Sequence, residues 1–389
     1  MKKILLMAGI TLLLSCTEET LVLPEPIPTE PPVASELPEN VPGQPTKDWY
    51  MGRTAEVGIT QNVPIIQLAY KTRDRKFMFE TANFSFVTAS PDVTTMFQAA
   101  SVSKALFSYI VMRYVDRGMI DLDKPLYEYT GGVVKERFRN AIPGDPVASA
   151  RNEEWAKLLT ARIVLTHGTA LRNWQSSTGW PSEEKLVFTG EPDQMGYTYS
   201  GEGIQYLQEV LEHISGLSLN QMAEQEVFGP FGMEYSSYVW RSEYATTHAF
   251  GYDANNVLGT GRGEAWAGNA AYTLRTNVRD FSIFIEKCIM EGQGLERKTH
   301  EAWLSPSRLN NNLGLYFGLG VRVNPNQAFD YGPTYAHGGS NPRFRCHFIV
   351  FPKAQTYLVY FSNSDNGAGT TLQRLYAIFF PQYPGVSYG

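Results

Sequence analysis

The tightest restriction on how this chain can fold lies between Ser101 and Asp116. There Val102, Ala105, Leu106, Phe107, Tyr109, Ile110, Val111, Met112, Tyr114 and Val115 are apolar nearly all the way round a helix. A helix without a polar face has to be covered on every side, so this one is expected inside the molecule. Gly118 stands where such a helix would stop.

Around it, two kinds of patterning separate. Pro64–Tyr70 and Phe77–Glu80 are short apolar and aromatic runs flanking a charged turn, which predicts a hairpin. Ile204, Leu207, Val210, Leu211 and Ile214 form one helical stripe from about Gly203 to Ser215, ended by Gly216. Ser218-Leu219-Asn220-Gln221 reads as a capping box opening a third helix. Strands are expected again at Leu315–Val323, Arg345–Phe351 and Tyr357–Ser362, then a last helix over Thr370–Phe380. Strands at both ends with helices between predict an α+β fold. Its antiparallel sheet is built from both chain ends, with flanking helices and an inserted helical lobe at about 119–265.

The helix start carries a candidate for chemistry, Ser101-Val102-Ser103-Lys104. Ser-x-x-Lys occurs a second time at Ser182–Lys185, where flanking carboxylates make the lysine a solvated surface cation. The first copy differs because it opens a buried helix. A serine hydroxyl needs a neighbour to take its proton. A residue three positions on shares its helix face, and burial lowers a lysine's pKa towards that of a usable base. The competing reading is a serine cap followed by a lysine turned to solvent.

The wider sequence favours chemistry. Phe97–Lys104, Gly118–Pro125, Ile163–Thr169, Tyr197–Gly201, Pro230–Met233 and His337–Gly339 follow one another in the order of matching blocks in the class C β-lactamase and D-alanyl-D-alanine carboxypeptidase family. The chain resembles that family, of the serine β-lactamase-like type that also contains esterases, from about Gln67 to Phe380. The resemblance implies Ser101 as nucleophile, with Lys104 and Tyr199 sharing proton transfer. Tyr197 is the rival for the tyrosine role. It also implies that His337-Gly338-Gly339 takes the place of a Lys-Thr-Gly strand motif, its glycines admitting substrate close to the backbone. By the same mapping the amides of Ser101 and Ser340 form an oxyanion hole, worth about 3–4 kcal/mol per donor.

Two positions depart from the family. Gly201 stands where a Tyr-x-Asn motif has its asparagine, and His337-Gly338 replaces a lysine and a threonine that would hold a substrate carboxylate. Arg343 or Arg345 would compensate, unless both are surface charges at a strand edge. These departures weaken a β-lactamase reading and favour an esterase or a peptidase of other specificity, with a small-molecule or peptide substrate. The alternative from another class is a non-catalytic, penicillin-binding-like lipoprotein that binds cell-wall fragments or glycans.

The remaining features narrow the setting. Lys2 and Lys3, the apolar run Ile4–Leu14 and Leu13-Leu14-Ser15-Cys16 predict an export signal at 1–15 followed by a lipidated Cys16. Residues 17–46 hold six Glu and eight Pro and no Lys or Arg, a tether that cannot bury a core. The expected organisation is signal peptide 1–15, lipidated tether 16–48 and hydrolase domain 49–389, anchored to a bacterial membrane in the cell envelope. A net charge of −6 and no basic run argue against nucleic acid. Six scattered histidines show no zinc-hydrolase spacing, and Gly259-Thr260-Gly261-Arg262-Gly263 lacks the glycine pattern and lysine of a nucleotide loop. No metal, cofactor or obligate protein partner is therefore expected. There is no Gly-x-Ser-x-Gly nucleophile elbow. His213 reads as exposed and His167 as a structural hydrogen-bonder. Cys288 and Cys346 either pair or stay as buried thiols.

Overall fold

The structure is a computed structural model that describes residues 37–85, 91–176, 184–310, 315–325 and 332–381. The export signal, Cys16, most of the tether and Ser182 lie outside the described residues.

In chain order the elements begin with α1 (Lys47–Thr60), β1 (Ile65–Lys71), β2 (Lys76–Ala82), β3 (Phe97–Gln98), α2 (Ser103–Asp116), α3 (Pro146–Ala156) and α4 (Ala161–Leu165). There follow α5 (Gly201–Ser215), α6 (Leu219–Ala223), α7 (Gly229–Phe231), α8 (Tyr244–Thr247), β4 (Arg275–Thr276), α9 (Val278–Phe284) and α10 (Arg297–Trp303). The last part is β5 (Arg308–Asn310), β6 (Leu315–Phe317), β7 (Arg322–Asn324), β8 (Thr334–Asn341), β9 (Phe344–Phe351), β10 (Thr356–Ser362) and α11 (Thr370–Phe379).

Eight strands form one sheet in the order β2-β1-β10-β9-β8-β7-β6-β5, antiparallel at every pairing. The first two strands thus join the last in one layer, as the ends-together pattern predicts. Alternation along the strands divides two cores. Ile66, Leu68 and Tyr70 of β1 and Leu358 and Tyr360 of β10 face α1 and α11, packing with Tyr50, Leu375 and Phe379. Ala69, Tyr357, Val359 and Phe361 face the other way, into the core that surrounds α2. Because both faces are covered, β10 is buried along its whole length and shows no polar alternation.

Helix α2 sits in the larger core, with Ala105 through Met112 all buried. The expected run Leu315–Val323 is not one strand. It is the hairpin β6–β7, turned by Gly318–Val321 with Gly318 N–H donating to Val321 O. Gly320 has φ +94°, and a Cβ there would lie 2.4 Å from Ser108 Cβ, so the turn needs glycine to lean on α2. The capping box at Ser218 and Gln221 forms as expected, and Gly216 ends α5 in the left-handed region. Cys288 and Cys346 are both buried free thiols.

Candidate active site

Ser101 lies in a short 3-10 turn, Ala100–Val102, that runs straight into α2. The residue before it, Ala100, has φ +44°, a conformation that costs an ordinary residue on the order of 1–2 kcal/mol. Neighbours hold the turn in place. Cys346 Sγ donates to Ala99 O (3.0 Å) and Ser103 Oγ to Ala100 O (2.5 Å). Leu274 N–H donates to Ser103 Oγ (3.1 Å). Such over-determined strain is common where a reactive group must be presented at a fixed angle.

Lys104 is in the first turn of α2 with 1% of its surface exposed. Its Nζ reaches Ser101 Oγ at 3.2 Å and donates to Ala271 O at 2.7 Å. Burial lowers its pKa from 10.5 to about 7. A lysine that shares protons with a serine hydroxyl and is half neutral near pH 7 can serve as a base. The alternative of a solvent-facing lysine is excluded.

Tyr199 closes the group, its ring 4.8 Å from Lys104 Nζ. Its hydroxyl is buried without a hydrogen bond of good geometry among the described residues. Burial pushes its pKa up, and the nearby Ser101 hydroxyl pulls it part of the way back. The rival Tyr197 packs on Phe317 (5.1 Å) and His167 (5.8 Å). Behind Tyr199, His167 acts as expected. Its Nδ1 accepts from Ser200 N–H at 3.2 Å, and its ring lies 4.3 Å from that of Tyr199.

Strand β8 forms the opposite wall. Ser101, Tyr199, His337, Gly338, Gly339 and Ser340 all line one cavity of about 590 Å3. The need for glycine at 339 has a different cause from the one expected. A Cβ there would lie 2.4 Å from Cys346 Sγ and 2.6 Å from Ala99 O, so the bare backbone lets β8 press on the Ser101 turn. That contact brings the strand carrying Ser340 against the turn carrying Ser101.

Among the described site residues, Lys104 stands behind Ser101 instead of on the cavity wall, and Gly201 is also off the wall, for a different reason. A Cβ at 201 would lie 2.5 Å from the Trp174 indole, so Trp174 fills the space an asparagine would need. Asn173, absent from the sequence reading, lines the cavity instead. Its Oδ1 accepts from Gly201 N–H at 2.9 Å, which fixes the side-chain amide against the start of α5. It follows directly on Leu171-Arg172 beyond the Ile163–Thr169 block, but no pattern marks a loop asparagine as functional.

The two candidate arginines separate. Arg345 lines the cavity, yet its guanidinium is held by Asp365 Oδ1 (2.8 Å) and donates to the carbonyls of Asn341 and Phe344. Arg343 sits in the turn between β8 and β9 with φ +67°, its side chain against Gly251 and Gly259. Neither is an open strand-edge charge. Arg322 of β7 and His347 of β9, both also missed, complete the wall.

Comparison with solved structures finds the same architecture in several hydrolase-type proteins. The octameric penicillin-binding protein homologue from Pyrococcus abyssi aligns with a TM-score of 0.68 and 16% identity, over 86% of this chain and 76% of that one. A D-stereospecific amidohydrolase from Streptomyces sp. gives 0.65 and 15%, over 85% and 99%. A β-lactamase/D-alanine carboxypeptidase from Pseudomonas syringae gives 0.67 and 13%, over 87% and 98%. A sequence model of the family described as Beta-lactamase matches residues 80–380, a span that takes in the Ser101 turn, the buried lysine and the β8 wall, and the chain belongs to the β-lactamase family.

Proposed function

We propose that this protein is a serine hydrolase that cleaves an ester or amide through an acyl-enzyme. The observation that carries the reading is the buried Ser101–Lys104 pair, 3.2 Å apart, with the lysine brought to a pKa of about 7 by burial. In this reaction Ser101 Oγ attacks the carbonyl carbon while its proton passes to Lys104. The carbonyl oxygen takes up the electron pair and is met by the amides of Ser101 and Ser340. Collapse breaks the C–O or C–N bond to the leaving group, which takes a proton through Tyr199. Water then repeats the sequence on the acyl-enzyme, with the same groups moving its proton and Ser101 departing.

Two features support esters or amides other than β-lactams and D-alanine termini. Trp174 covers Gly201, and an imidazole replaces the cation expected on β8. The Leu-Leu-Ser-Cys sequence supports a lipid on Cys16 and a place in the cell envelope. Transfer of a labelled fatty acid to the wild type, but not to Cys16→Ser, tests that placement.

A fluorophosphonate tests the chemistry. The wild type is expected to take the label and Ser101→Ala to refuse it, with turnover in a panel of p-nitrophenyl esters, nitrocefin and D-Ala-D-Ala peptides. Saturable binding of cell-wall fragments without labelling or turnover would instead support a binding protein that keeps the fold.

A further inference from the structure

His337 is the residue whose role differs most from that of the lysine it replaces. Its Nδ1 lies 2.7 Å from the Gly338 carbonyl oxygen. A carbonyl only accepts, so Nδ1 carries the ring proton. The residue is 4% exposed, and burial, then the charges of Lys104 and Arg322, hold its pKa down to about 3. The ring is therefore neutral, and its Nε2 is a lone pair. That Nε2 is buried and has no hydrogen-bond partner among the described residues, although His337 lines the cavity with Ser101 and Ser340. An unpaired buried acceptor is costly, and a ligand carrying a donor would satisfy it.

The side of the substrate that meets this group follows from its neighbour. The rings of His337 and Tyr199 are 6.4 Å apart, and Tyr199 protonates the leaving group in the proposed reaction. Building on that reading, we propose that His337 Nε2 is an acceptor that reads the leaving group, so that the enzyme prefers leaving groups bearing an uncharged N–H or O–H and disfavours a carboxylate there. A carboxylate would set its own lone pairs against that of Nε2. Nor does Arg345 offer an open fork to offset this, since Asp365 and two carbonyls already occupy it.

Three acetate esters with one skeleton separate the possibilities: 3-acetoxybenzamide, 3-acetoxybenzoate and methyl 3-acetoxybenzoate. The full-length wild type is expected to show kcat/KM about tenfold or more higher for the benzamide than for either other ester. His337→Phe is expected to collapse that ratio. His337→Gln, which keeps an acceptor in Oε1, is expected to retain part of it. Because the readout is a ratio within each variant, a general loss of activity does not imitate the result. Faster reaction with the benzoate, a ratio unmoved in His337→Phe, or fluorophosphonate labelling with no preference among the esters overturns this inference alone. Absence of both labelling and turnover overturns the hydrolase reading and this inference with it.

Discussion

At the residue scale, the proposed reaction needs Lys104 as the neutral amine. With burial holding its pKa near 7, the rate of acylation should rise with pH and reach half its plateau near pH 7. Fluorophosphonate labelling rates across pH 5–9 check this, and a flat profile would exclude Lys104 as the base. Lys104→Arg should lose about a hundredfold or more in that rate, because a guanidinium stays charged at every pH tested. Gly339→Ala should be destabilised by about 1–3 kcal/mol, since its methyl would meet Cys346 Sγ and Ala99 O within 3 Å. Urea denaturation measures the loss, and an unchanged midpoint would show that β8 can move off the Ser101 turn. That Ser101, Lys104 and Tyr199 lie together was legible in the sequence, the first two from helix spacing and Tyr199 from the family resemblance. Asn173, Arg322 and His347 were not, because they meet only when a loop and two separate strands converge. Gly201 was legible as a departure, but the indole of Trp174 above it was not.

At the element scale, α2 is held by a buried ionic contact as well as by its apolar surface. Glu226 is fully buried and accepts from Arg117 Nη1 (2.5 Å), Arg117 Nη2 (2.7 Å) and Arg113 Nε (3.2 Å). Glu226→Ala leaves two cations without their anion and should cost about 3–5 kcal/mol. A loss below 1 kcal/mol in chemical denaturation would mean that water reaches both guanidinium groups. The helices with clear stripes or stop signals, α2, α5 and α11, were readable from periodicity. Strand β10 was readable as an apolar run. The hairpin β6–β7 was read as one strand because its turn, Gly318-Leu319-Gly320-Val321, alternates glycine with apolar residues. Leu319 and Val321 are buried there as fully as strand residues would be.

At the scale of the whole molecule, the half-buried Glu80 and the buried Lys104 give stability opposite dependences on pH. Glu80 has its pKa raised from 4.5 to about 9 by burial, so the folded state holds a proton that the unfolded chain releases between those values. Stability falls as pH rises through that window. Lys104 acts the other way, since the unfolded chain binds the extra proton between about 7 and 10.5, and stability rises there. Glu80→Gln should therefore raise the melting temperature at pH 8 and change it little at pH 4. Equal effects at both pH values would locate the change in packing instead of protonation.

The pairing of β1 with β10 has a consequence for how the protein comes into being. Leu68 lies opposite Tyr360, so a strand made early in synthesis waits for almost the entire chain before its partner exists. Until then the β1–β2 hairpin carries Tyr70, Phe77 and Phe79 covered on one side only by Tyr50 of α1, because α11, which completes their burial, is made later still. An aromatic hairpin with an open edge is a surface to which other chains can add strands. A nascent chain stalled before Thr356 should therefore aggregate or recruit chaperones.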